Sequence, residues 1–153
     1  MITGSDFLWF VDRTLDRMVE ILRELGDDRA LERPGPPQTN SPYVIASHCV
    51  GVMRWWGGHL VGGRSVVRDR AAEFVATGSV ASLIAQIDEA RADLARDVAG
   101  AEFGAPLRNP ASALDATLPL GRSQGGALFH LYEELSQHLG QMEISRDVLL
   151  ASP

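Results

Sequence analysis

Apolar residues in this chain recur in steps of three and four over four separate stretches, the spacing of helices that each bury one face. In the first stretch Leu8, Val11, Leu15, Met18, Leu22 and Leu25 form the seam, with Asp12, Asp16, Arg17, Glu20, Arg23 and Glu24 on the wet side. Ser5 is the expected cap and Gly26 the expected end. The segment through Pro34, Pro36 and Pro37 is not helical. Ser41-Pro42 opens a second helix, because Ser caps and Pro fits a first turn whose N–H would be unbonded anyway. That helix is expected to run to about Val61. It is apolar on nearly every face, from Val44 and Ile45 through Val52 to Trp55, Trp56 and Leu60, which predicts a central place. Gly62-Gly63 then breaks the chain, and a short helix is expected around Asp69 to Val75. Ser79 caps a third stretch, with Val80, Leu83, Ile87, Ala90, Leu94 and Val98 inward. Residues 100–124 contain Pro106, Pro110 and Pro119 and have no helical period, which is long for a connection inside a compact domain. The last stretch runs from about Gly125 to Leu150, with Leu131, Leu135, Met142 and Leu149 on one arc.

Four amphipathic helices without a strand predict an all-α fold, a four-helix bundle in one domain over residues 1–153. The long connection before the last helix favours a crossover over simple hairpins. Composition narrows the function. The net charge is −6 and the pI about 5.1, with no basic cluster, so nucleic acid is not an expected partner. All 14 basic residues are Arg, which rules out Schiff-base and phosphate-loop lysine chemistry within this chain. The apolar start FLWFV is flanked by Asp6 and Asp12 and does not read as a signal peptide. Arg54 interrupts the best apolar run, so no membrane span is expected. Cys49 is the single cysteine, so no internal disulfide can form and the cytoplasm is the expected compartment. The sequence leaves a homodimer open.

Candidate chemistry lies on the last helix, in HLYEELSQHLGQMEISR. His130, Glu134, His138 and Gln141 form a stripe bordering the apolar arc, so they point between packed helices, where bundles build metal sites. Glu134 and His138 are about 6 Å apart along the axis and about 40° around it, so one ion can touch both. A third ligand must come from elsewhere, and His48 on the apolar second helix is the best candidate. His130 and His138 are about 12 Å apart along the axis, and His48 and His59 about 16 Å, so neither pair can share an ion. The companion of Glu134 is therefore His130 or His138, and the facing ligand His48 or His59. Two histidines and a carboxylate form the donor set of catalytic zinc with an open position. The competing reading is a buried histidine with a hydrogen-bond partner beside a solvated Glu-x-x-x-His pair. Cys49, about 100° from His48, is expected to be a small buried hydrophobe.

HLYEELSQHLGQ, with TNSPYVIASHCVGVMRWWGGHL about ninety residues earlier, resembles the DinB-like superfamily, and within it the branch similar to mycothiol-dependent maleylpyruvate isomerases and related thiol S-transferases. The resemblance spans nearly the whole chain. It implies a bundle holding one divalent metal, zinc or nickel, with His48, Glu134 and His138 as ligands. Many members have a second His where this chain has Glu134; the mycothiol-dependent isomerase type has Glu, as here. Gly140 and Gln141 match the end of the motif. The implied activity is a metal-dependent thiol S-transfer, in which a low-molecular-weight thiol held as thiolate attacks a small electrophile. The GC-rich, actinobacterial-type composition makes mycothiol the natural thiol. Two other readings are a hydrolase using the same ion to activate water and a non-enzymatic, stress-related metal-binding bundle. His130 and Gln141 are candidates to line the substrate site. Arg146, near the apolar arc, is either a carboxylate-binding residue or half of a structural ion pair.

Overall fold

A computed structural model describes residues 2–151. The helices are α1 (Gly4–Leu31), α2 (Pro42–Val52, continued with π winding over Met53–Val61), α3 (Arg70–Glu73), α4 (Val80–Ala99) and α5 (Gln124–Ala151), with no strand among the described residues.

The first helix begins earlier than the Ser5 cap predicts. Thr3 is the cap, its Oγ1 accepting from the Asp6 N–H at 3.1 Å while the Asp6 carboxylate accepts from the Thr3 N–H at 2.8 Å. This reciprocal box satisfies two orphan donors and leaves Ser5 inside the first turn. Gly26 does interrupt α1, with φ of +68°, a conformation that costs an L side chain and favours glycine. The chain nevertheless resumes a helical path to Leu31. Ser41 caps α2 through the Val44 N–H, Asp69 caps α3 through the Ala72 N–H, and Ser79 caps α4 through the Ser82 N–H.

α1 packs against α5, α4 and α2, and α2 with its π continuation packs against both α4 and α5. Among the described residues α4 and α5 do not pack on each other, so they stand at diagonal corners. The chain between them must cross the end of the bundle, which accounts for the length of the 100–123 connection. Two short 3₁₀ turns lie within it, Asp115–Thr117 and Pro119–Gly121. It is strapped down by Arg108 N–H to Leu60 O, Gln124 N–H to Ala105 O and the Gln124 amide to Pro106 O, each 2.9 Å. The connection from 62 to 79 is tied instead by Arg64, which forms paired hydrogen bonds to Asp97 at 3.0 and 2.8 Å and reaches Asp93 at 3.0 Å.

The core between the four long helices contains Leu15, Met18, Ile21 and Leu22 of α1, Ile45, Met53 and Leu60 of α2, Leu83, Ile87 and Leu94 of α4, and Leu128 and Leu131 of α5, all fully buried. Each such side chain contributes about 1.5–3 kcal/mol on leaving water. No helix among the described residues is long and apolar enough to cross a membrane.

Candidate metal centre

α2 and α5 face each other across one side of the bundle, and the site lies between them. α5 buries Leu128, Leu131, Leu135, Met142, Ser145 and Leu149. His138 occupies the inward step between Leu135 and Met142, with Glu134 one turn before it on the same edge. On α2, His48 shares the inward face with Ile45 and Val52 and is 3% exposed. The three side chains meet. Glu134 Oε2 is 3.3 Å from His48 Nε2 and 3.5 Å from His138 Nε2. One donor atom from each of the three residues lies within 4.8 Å of the other two. Two ligand atoms held about 2.0–2.2 Å from one tetrahedral zinc are themselves roughly 3.3–3.5 Å apart. The two Glu134 separations fit that edge, and the residues present suit a divalent ion of this class.

Both imidazoles turn Nε2 toward the centre and bind another group through Nδ1. His48 Nδ1 is 2.7 Å from Glu73 Oε2, and His138 Nδ1 is 3.1 Å from Gln141 Oε1. Phe74 packs on the His48 ring with centroids 5.0 Å apart, and the Arg70 guanidinium lies 5.1 Å above the Phe74 ring. The 62–79 connection thus closes one side of the site. None of the hydrogen bonds that strap down residues 100–123 reaches the three central side chains.

The electrostatics are those of a carboxylate shared among imidazoles. Hydrogen bonds from His138 and then His48 hold the Glu134 carboxyl far below the usual carboxylate range, overcoming the effect of burial. The same contact with Glu134 raises the His138 imidazole above its ordinary 6.5, while burial and the nearby Arg70 charge oppose the rise. Burial first, then the charges of Glu134 and Glu73, push the Cys49 thiol well up, so Cys49 is a buried neutral thiol.

His130 is 3.8 Å from Glu134 Oε1 through Nε2, 3.1 Å from Glu133 through Nδ1, and edge-on to Trp56 at 4.5 Å. It borders the centre without joining the group of three. His59 bonds to the Arg64 carbonyl through Nδ1 at 2.8 Å and stacks on Trp55. Arg146 lies 2.7 Å from Asp147 and 3.6 Å from Glu24, an ion-pair setting about 12 Å along the axis from His138. Glu73 is the residue that periodicity did not reveal. It sits at the end of a four-residue helix in an aperiodic connection, and its only local cue is the Asp69 cap just before it.

No curated protein and no solved structure matches the chain. The family model for mycothiol-S-transferase matches residues 6–150. That span contains every helix of the bundle except the first two residues of α1 and the last residue of α5, and with it all three residues of the centre. The chain therefore belongs to the mycothiol-S-transferase family, within the DinB-like superfamily.

Proposed function

We propose that this protein is a divalent-metal-dependent S-transferase that uses mycothiol and acts on a small electrophile. The observation that carries the reading is the convergence of His48, Glu134 and His138 in a chain of this family. A zinc or nickel ion bound by these residues would supply Lewis acidity that keeps a thiol in its nucleophilic thiolate form at neutral pH. The protein's own residues supply the rest. Glu134 contributes one negative charge, so a divalent ion held here keeps a net positive charge toward an anionic ligand. Gln141 fixes the His138 ring by accepting a hydrogen bond from its Nδ1–H. His130 and Trp56 form one wall, and Phe74 with Arg70 forms another. The partial exposure of Glu134 and His138 supports access from solvent, whereas His48 anchors the floor. In S-transfer the thiolate sulfur forms a bond to an electrophilic carbon, and the electron pair moves onto the acceptor or its leaving group. A thiol cosubstrate and a single buried cysteine support a reducing, cytoplasmic setting.

The test is thiol consumption by zinc- or nickel-loaded protein, with a bimane reagent as electrophile, comparing mycothiol with bacillithiol and glutathione. Mycothiol should be consumed in a metal-dependent manner and faster than the other two. A cobalt-substituted sample should show a thiolate charge-transfer band when mycothiol is added. Absence of both the band and the consumption with every thiol would exclude the transferase reading.

A further inference from the structure

His48 is held from behind as well as from the front. Glu73 Oε2 lies 2.7 Å from its Nδ1, and both groups are shut away from water, with side-chain exposures of 4% and 10%. A carboxylate this deep needs a counter-charge, because an unpaired buried charge costs several kcal/mol. Arg68 supplies one, its Nε 2.7 Å from Oε1 and its Nη2 3.0 Å from Oε2. The fork fixes the carboxylate plane as well as its charge. Directly beneath Glu73, α2 carries Gly51, one turn after His48 within a helix. A Cβ at that position would overlap Glu73 Oε1 and crowd Cδ and Oε2. Glycine is disfavoured relative to alanine in a helix interior, so its presence where φ does not require it needs a reason. The Glu73 carboxylate occupies the space that a methyl group would fill.

We infer that Glu73 is a positioning residue for the metal centre, acting through His48, with Arg68 and Gly51 as its supports. The inference rests on the metal reading of His48, Glu134 and His138. A carboxylate on Nδ1 selects the tautomer that presents the Nε2 lone pair to the centre, locks the ring's rotation and raises its donor strength. Arg68 balances the charge of Glu73, so this second carboxylate does not add to that of Glu134 in neutralising the ion. The arrangement also explains why the 62–79 connection is brought against α2: α3 is too short to be stable by itself, and it packs on α2.

Competition titrations of zinc against a chromophoric chelator would test this in the full-length protein. Glu73→Gln, nearly the same shape, should weaken zinc binding by roughly 10–100-fold, the usual cost of losing such a partner. Gly51→Ala, which leaves every polar group in place but pushes Glu73 off Nδ1, should weaken it in the same direction. In a His48→Ala background, Glu73→Gln should cause no further loss, because a residue acting through His48 has nothing left to act on. Circular dichroism and cooperative unfolding establish that each variant is folded, and if Gly51→Ala does not fold, Glu73→Gln decides alone. Zinc binding by Glu73→Gln within twofold of the parent would overturn the inference while leaving the metal centre standing. An undiminished effect of Glu73→Gln in the His48→Ala background would also overturn it, assigning Glu73 a general charge effect instead. A parent protein that binds no zinc would remove the metal reading and this inference together.

Discussion

At the residue scale, His138 is a polar side chain in a core step of α5, between Leu135 and Met142, and its placement defines its proton chemistry. Contact with Glu134 raises its pKa above 6.5 and lowers that of Glu134 below its ordinary 4.5. In the metal-free protein this pair stabilises the fold when His138 is charged and Glu134 ionised. The contribution is present between about pH 4.5 and 6.5, fades as pH rises through the raised His138 pKa, and is lost in acid as Glu134 protonates. Metal binding has the opposite sign, because a ligand imidazole must be neutral. Zinc affinity should therefore rise as pH rises through the His138 pKa, by about tenfold per pH unit for one displaced proton. The decline should already begin above pH 6.5, and isothermal titration from roughly one pH unit below the free imidazole value to roughly two above it checks this. His138→Ala should cost at least the roughly 10–100-fold expected from disturbing a ligand's partner, and should remove this pH dependence. Helical spacing and family resemblance made the three central residues legible, because one-turn spacing on a seam is visible in any amphipathic helix. Glu73 was not legible, since its partner is 25 positions away and no period connects an isolated turn to a helix it merely touches.

At the element scale, the second helix was legible at both ends, Ser41-Pro42 and Val61, but not in the winding of its second half. Ser41-Pro42 fixes the N-terminus by local chemistry, and Ser41 is 3% exposed with its hydroxyl accepting from Val44. Ser41→Ala should cost about 1 kcal/mol of stability, with 0.5–2 as the usual range for a lost cap, measured by urea unfolding. Its effect on zinc affinity should be small, since His48 lies nearly two turns further on. The second half depends on winding. Were residues 42–61 a continuous α-helix, His59 would sit about 20° from His48 around the axis and face the same cavity. From Met53 the chain takes on π winding, closed by Gly62 N–H to Gly57 O at 2.7 Å, and each turn holds more residues. This rotates His59 off the line of His48 and brings Trp56 against His130. Hydrophobic periodicity does not report such a change in a segment that is apolar on nearly all faces. The Thr3–Asp6 box was readable in principle, but Ser5 offered an equally acceptable cap one residue from Asp6.

At the scale of the whole molecule, the diagonal placement of α4 and α5 gives the centre a structural consequence. α2 and α5 are neighbours in the bundle, and they are separated in sequence by α3, α4 and the crossover. An ion held by His48 from one and by Glu134 and His138 from the other would tie together elements that loop closure leaves far apart along the chain. Binding that requires the folded arrangement stabilises it by mass action. At zinc concentrations about 100 times the dissociation constant the gain is about 2.7 kcal/mol. For a domain of this size each kcal/mol shifts Tm by about 2–4 °C, so loading should raise Tm by roughly 5–10 °C. Differential scanning calorimetry before and after zinc addition measures the shift, and EDTA should reverse it. At the same zinc concentration the zinc-dependent rise for His138→Ala should fall to about half of the parent's or less, even though its bundle core of leucines is intact. A parent protein that takes up one zinc per chain but melts at an unchanged temperature would mean that the ion binds the unfolded chain equally well, and so does not bridge α2 to α5.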